Sequence, residues 1–165
     1  MKFVLFRHAH KGILPFEDPE LSLQGFEQAH RISDLISKNS LSIPTRLFCS
    51  PKRRTSQTFY PSAQRLGLKT EVNPDLDQRA SQESSIDFKN RVQKFLRQIE
   101  KLNGNLVIFA CTHYDWIEEA MALINSDKDL KSFEFSHWSP TQYVEFEIEN
   151  NLWKVTMKGT ANENS

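Results

Sequence analysis

A chain of 165 residues is one domain by the usual scaling and is long enough to enclose a hydrophobic core. With 38% hydrophobic and 25% charged residues it is expected to be globular rather than disordered, and 21 basic against 21 acidic residues argue against a dedicated nucleic-acid or acidic-membrane surface. No apolar run approaches the ~18 residues of a membrane span, and the N-terminal stretch lacks the layout of an export signal, so a cytoplasmic location is expected.

The opening Lys2-Phe3-Val4-Leu5-Phe6 is an apolar run of strand length that ends on Arg7-His8, with Ala9, His10 and Lys11 directly behind. A loop with Pro15, Asp18 and Pro19 leads to Ser22, a plausible N-cap. Phe26, Ala29, Ile32 and Leu35 or Ile36 then recur at helical spacing and predict a helix over 22–39. Gly25 in its first turn costs about 1 kcal/mol relative to alanine, which close packing on a neighbouring element would explain. Arg46–Cys49 reads as a second strand, and Ser50-Pro51 as the N-cap and first-turn proline of a second helix that carries Arg53, Arg54, Gln57 and Thr58. Pro61 is expected to kink or split that helix.

A third strand around Lys69–Val72 runs into the charged stretch Pro74–Arg79. Ser84 or Ser85 then starts a helix whose Phe88, Val92, Phe95, Leu96, Ile99 and Leu102 share one face, ending near Asn103-Gly104. Leu106–Cys111 is the most apolar run and is read as a central parallel strand, followed by Thr112-His113-Tyr114-Asp115 and a helix to about Ile124. Residues 125–140 read as a polar loop. Alternation over Gln142–Ile148, then Asn150-Asn151, then Leu152–Val155 predicts an antiparallel hairpin at the sheet edge. Cys49 and Cys111 lie in apolar runs without metal-type spacing and are expected to be buried free thiols. The fold class that follows is α/β, a three-layer α/β/α arrangement around a mostly parallel sheet, with a single domain over 1–158 and a frayed tail over 159–165.

Arg7, His8, Arg54 and His113 are thus each expected at the carboxyl end of a strand or at the start of the helix behind it, where ligands collect in open α/β sheets. Two guanidiniums make a permanently charged, forked clamp for a tetrahedral oxyanion. They also disfavour protonation of a nearby imidazole, whose lone pair stays available as a nucleophile. Phosphoryl transfer through a phosphohistidine is the chemistry these parts suit, and it needs no metal.

The ordered motifs resemble the histidine phosphatase superfamily, also called phosphoglycerate mutase-like. Arg7-His8-Ala9 resembles its Arg-His-Gly signature, and Leu21-Ser22-Leu23-Gln24-Gly25-Phe26-Glu27-Gln28-Ala29 resembles Leu-Thr-x-x-Gly-x-x-Gln-Ala. Ser50-Pro51-Lys52-Arg53-Arg54-Thr55-Ser56-Gln57-Thr58 resembles Ser-Pro-x-x-Arg-Ala-x-Gln-Thr, Glu83-Ser84-Ser85-Ile86-Asp87-Phe88 with Arg91-Val92 resembles Glu-Ser-x-x-Asp-Phe-x-x-Arg-Val, and Thr112-His113 stands for Ser-His. The resemblance implies that His8 is transiently phosphorylated, that Arg7 and Arg54 bind phosphate, and that His113 completes the pocket without any cofactor. It is to the small phosphohistidine-phosphatase-type members, which implies a phosphorylated protein or a small phosphorylated metabolite as the partner, no nucleic acid or membrane, and a monomer or weak dimer.

Several positions depart from the pattern. Ala9 replaces a glycine, which is tolerable where φ stays negative, and Tyr114-Asp115 replace Gly-Gly, narrowing the pocket or adding an acidic rim. His10 and Lys11 are candidates for a wider positive rim, with solvated loop residues as the preferred reading. Gln78 stands where family phosphatases place the acidic proton donor. Asp77 is therefore the candidate donor and Glu83 the second, and Tyr114 and Glu83 join His10 and Lys11 as candidate substrate contacts. A catalytically inactive phosphate- or phosphopeptide-binding module of the same fold is the alternative function.

Overall fold

β1 (Lys2–Arg7) turns Phe3 and Leu5 to one side and Val4 and Phe6 to the other, all four fully buried, so this strand needs cover on both faces. In the computed structural model, which describes residues 1–162, that cover comes from two helical layers. α1 (Leu23–Ser37) and α2 (Arg53–Leu66) pack on Val4, Phe6, Leu47 and Phe109; α3 (Ser85–Glu100) and α4 (Tyr114–Leu123) pack on Phe3, Leu5, Phe48 and Ile108. The sheet between them also contains β2 (Arg46–Cys49), β3 (Thr70–Val72), β4 (Val107–Thr112), β5 (Tyr143–Glu149) and β6 (Leu152–Gly159), in the order β3-β2-β4-β1-β5-β6. β3, β2, β4 and β1 run parallel, whereas β5 pairs antiparallel with β1 and β6 antiparallel with β5. This is the expected three-layer architecture. Asn150 and Asn151, at φ 50° and 60°, make the tight turn of the β5–β6 hairpin. Among the described residues no helix is long and apolar enough to cross a membrane. Cys49 and Cys111 are buried free thiols, as expected.

Four local expectations are corrected. Ser50 does not cap α2; the helix starts at Arg53 with Lys52 as its N-cap, because the Ser50 side chain is engaged elsewhere, as described below. Pro61 does not split α2, which runs through it to Leu66: the proline removes one backbone bond, and packing along α1 outweighs that single loss. The polar stretch 125–140 contributes Leu130, Phe135 and Trp138 to the core under α3 and α4, apolar residues too widely spaced to show a period. The tail is not frayed from Gly159 onward, since that glycine closes β6, Ala161 is buried, and Asn162 accepts a 2.6 Å hydrogen bond from Gln28. The rest of the tail expectation, 163–165, lies outside the described residues.

Gly25 is explained by close approach. A Cβ at this position would overlap the backbone carbonyl oxygen of His10, so α1 can lie against the loop behind β1 only with glycine here. In most helices Gly→Ala stabilises by about 1 kcal/mol. Here Gly25→Ala is expected to destabilise by roughly 2–3 kcal/mol, the cost of forcing a methyl group into packed backbone. Urea unfolding of the two proteins decides the sign.

Candidate active site

The loop after β1 is held by side chains that satisfy its backbone donors one by one. Thr58 Oγ1 on α2 accepts from Ala9 N–H (2.9 Å), Gln28 on α1 accepts from His10 N–H (2.8 Å), and Gln57 on α2 accepts from Leu21 N–H (2.9 Å). Buried peptide groups need such partners, which gives the Gln-Ala and Gln-Thr motif residues a physical reason. From the other side, Thr141 donates its N–H to the carbonyls of Arg7 (3.1 Å) and His8 (3.3 Å), and it does so at φ 62°, a strained position for a β-branched residue. Ala9 is outside the positive-φ set, so its methyl group is tolerated.

These restraints bring His8, at the end of β1, beside His113, at the end of β4, with ring centroids 5.3 Å apart and both side chains buried. Arg54, in the first turn of α2, lies between them. Its Nε donates to His8 Nε2 (3.3 Å) and its guanidinium NH2 to His113 Nδ1 (3.2 Å). A guanidinium has no acceptor, so both ring nitrogens facing it must carry lone pairs. The protons then sit on the far nitrogens: His8 Nδ1–H donates to the Ala9 carbonyl (2.7 Å), and His113 Nε2–H donates to Ser50 Oγ (2.8 Å). The hydrogen-bond network therefore fixes both tautomers.

Burial pushes the His8 imidazole down to about 3; the bond to Ala9 opposes this, and the positive charges of Arg54, Arg7 and Lys11 reinforce it. His113 is pushed down to about 2, by burial first and then by Arg54, His8, Lys52 and Arg7. Arg7 and Arg54 are themselves lowered by burial, though a guanidinium keeps its charge. Arg7 lies over the Tyr114 ring at 5.3 Å and donates to the Trp138 carbonyl, while its buried Nε has no hydrogen-bond partner among the described residues. A buried unpaired donor beside two neutral imidazoles and a second guanidinium forms a cage with excess positive charge, fitted to an anion. Among the described residues no three His, Cys, Asp or Glu side chains group as a metal site.

The remaining candidates divide. Asp77 reaches the cage wall with Oδ1 3.6 Å from His113 Nε2 and Oδ2 3.9 Å from Lys52. With His113 neutral, that first contact is a close approach and not an ion pair. Gln78, one residue on, accepts from Arg54 at 2.6 Å, so an amide occupies the point where a carboxylic acid was sought. Glu83 is not in the cage: both its oxygens take Arg91 at 2.8 Å, and Arg91 in turn holds the carbonyls of Asp77 (2.8 Å) and Gln78 (3.3 Å). The pair positions the Asp77–Gln78 loop, and Glu83 is committed to Arg91 and to the Ala80 N–H instead of the cage. Tyr114 packs under Arg7 and spends its hydroxyl on the Ser136 carbonyl (2.9 Å). His10 is exposed, with Nδ1 bonded to Ser22 Oγ (2.7 Å), and faces a separate cleft of about 500 Å³ beside α1. Lys11 is exposed and near enough to repel a proton from His8.

Sequence reasoning missed three contributors. Ser50 orients His113. Asp18 receives the Arg53 N–H at the start of α2 (3.3 Å) and lies 3.7 Å from Arg54. Lys52 adds to the field on His113. Only Ser50 left a signal, its place in the Ser-Pro-x-x-Arg motif.

The low histidine values contribute to the pH dependence of stability. An unfolded histidine takes up a proton near 6.5, whereas His8 and His113 in the folded chain do so only near 3 and 2. Below pH 6.5 the unfolded chain binds more protons, so the stabilisation from these groups, fully present above that pH, is lost as pH falls toward 3. Urea unfolding between pH 7.5 and 4.5 is expected to show this decline. A His8→Gln/His113→Gln double variant flattens it, and saturating phosphate, which neutralises the cage, reduces it.

The family model of the histidine phosphatase superfamily (branch 1) matches residues 5–81 and 73–160. No curated protein matches the chain in sequence. Among solved structures, the protein histidine phosphatase SixA bound to tungstate superposes with a TM-score of 0.78 at 13% identity, over 98% of this chain and 97% of its own. A phosphoserine phosphatase mutant from Entamoeba histolytica in complex with phosphoserine gives 0.74 at 15% identity, covering 97% of each chain. The mycobacterial glucosyl-3-phosphoglycerate phosphatase with inorganic phosphate gives 0.69 at 17%, over 97% and 98%.

Proposed function

Because this chain belongs to the histidine phosphatase superfamily, we propose that it is a phosphatase working through a phosphoryl group carried on His8 Nε2. The observation that carries the reading is the tautomer of His8: Nδ1–H is tied to the Ala9 carbonyl, and the Nε2 lone pair faces the cage between Arg54 and His113. In the first step Nε2 attacks phosphorus, the Nε2–P bond forms, and the bond to the leaving group breaks with its electron pair going to that group. In the second, water attacks phosphorus, Nε2–P breaks, and inorganic phosphate leaves. The Ala9 carbonyl stabilises the positive ring of the intermediate. Arg7 and Arg54 hold the equatorial oxygens, which carry the charge in a loose transition state. His113, its Nε2–H on Ser50 and its Nδ1 accepting from Arg54, holds that guanidinium in place against the transferring group.

Phosphohistidine of a protein is the substrate this site fits best. Gln78 on Arg54 cannot deliver a proton, and a phosphoramidate needs less help than an ester because its ring nitrogen leaves more readily than an alkoxide. The fold likeness to a protein histidine phosphatase supports the same direction. Small phosphomonoesters are the second reading, favoured by Asp77 at the cage wall, whose carboxyl lies 3.6 Å from His113 Nε2.

The test is to trap the intermediate. The protein is incubated with phosphoramidate, quenched in alkali and mapped by mass spectrometry. Acid-labile phosphate on His8 is expected; turnover with phosphate on another residue, or with none, overturns the mechanism. Vanadate binding without label or turnover would instead identify a binding module.

A further inference from the structure

Residues 12–20 form a loop with both ends fixed at the cage and an apolar tip in solvent. At one end Lys11 bridges Leu21 and acts electrostatically on His8; at the other Asp18 lies 3.7 Å from Arg54 and accepts the Arg53 N–H. Gly12 N–H to Glu20 (2.7 Å), Glu20 N–H to Leu14 (3.1 Å) and Asp18 N–H to Pro15 (3.2 Å) give the loop its own backbone bonds. Yet Ile13, Leu14 and Phe16 are 81%, 70% and 86% exposed. Three large apolar side chains in four residues, in an internally bonded loop, are the kind of surface that marks a partner contact.

We propose that this loop docks the protein segment that carries the phosphorylated side chain, with apolar residues of that segment covering Ile13, Leu14 and Phe16 while its phosphoryl group enters the cage. The proposal rests on the phosphatase reading above. Continuity with the cage argues for one occupant spanning both: the loop begins four residues after His8, and its Asp18 lies 3.7 Å from Arg54. Charge complementarity defines its chemistry, an anionic phosphoryl group for the cage beside apolar residues for the tip. A phosphorylated metabolite offers no apolar body to cover three such side chains. A membrane surface is disfavoured because the loop 12–20 carries Glu17, Asp18 and Glu20 and no basic residue, which anionic headgroups would repel.

Two synthetic peptides carrying one phosphohistidine, flanked by leucines or by serines, test this against phosphoramidate as the small substrate. The wild-type protein is expected to favour the leucine-flanked peptide at least about 10-fold in kcat/KM, equivalent to about 1.4 kcal/mol. An Ile13→Ser/Leu14→Ser/Phe16→Ser variant brings that peptide to the serine-flanked level through KM and leaves phosphoramidate turnover unchanged, which also shows that it folds. Phosphoramidate turnover without peptide discrimination overturns the docking role and spares the phosphatase reading; no turnover of any substrate overturns both. Equal loss on peptide and phosphoramidate in the variant shows a lid instead. Wild-type dimerisation or co-sedimentation with phosphatidylcholine–phosphatidylglycerol vesicles, abolished in the variant and with no peptide preference, assigns the tip to a second copy or to lipid.

Discussion

A His8→Gln protein is expected to hydrolyse phosphoramidate no faster than about 10⁻⁴ to 10⁻⁶ of the wild-type rate, the scale of loss when an enzyme is deprived of its nucleophile. Glutamine still offers a donor toward the Ala9 carbonyl and an acceptor toward Arg54, so the cage keeps its wiring. What disappears is a neutral nitrogen able to bond to phosphorus. The separation of effects is therefore clean: single-turnover assays should show no phosphoryl enzyme, while vanadate still binds. If the glutamine protein retains a tenth of the activity, His8 is not the attacking group.

Arg54→Ala is expected to lower kcat/KM by about 10²–10³, or roughly 3–4 kcal/mol, as for loss of a preorganised oxyanion donor. The argument is geometric. One guanidinium donates to His8, His113 and Gln78 and approaches Asp18, and it is buried. Its removal deletes a fixed charge on the transferring group and also frees two imidazoles to ionise. Burial first, and then Arg54 among the nearby charges, holds His8 and His113 low, so both should titrate at higher pH in the variant, and its activity should fall off in acid at a higher pH than that of the wild type. Arg54→Lys should recover little, since a single ammonium cannot span the two rings as the planar fork does. Steady-state kinetics between pH 5 and 8 on the three proteins tests both claims.

The cage was legible because strand ends in an α/β sheet are a small set of points, and Arg7, His8, Arg54 and His113 fall on them in the expected order. Helix starts at Ser22 and at Ser84 or Ser85 were equally readable, since an N-cap serine is local chemistry: the side chains of Ser22 and Ser84 each accept from the backbone N–H three residues on. Ser50 carries the same local signal and was misassigned, because its partner is His113, 63 positions away. Asp18 was hidden for the same reason: it stands in an irregular proline-flanked loop, yet it accepts from a donor on α2. Glu83 was the second donor candidate, whereas Arg91, eight residues on, claims it. Periodicity also had nothing to say about Leu130, Phe135 and Trp138, which are buried from a segment without a repeat.

The loop behind His8 is anchored by α1 and α2, through Gln28, Gln57 and Thr58, while the loop bearing Gln78 is anchored by α3, through Arg91. The two walls of the cage are thus mounted on opposite sides of the sheet. The gap between them is set by how the strands coil, and any repacking that tilts one layer against the other changes the bite. Reaction rate should accordingly register damage in either half of the interior before unfolding midpoints do, which makes turnover the more sensitive gauge of this molecule's integrity.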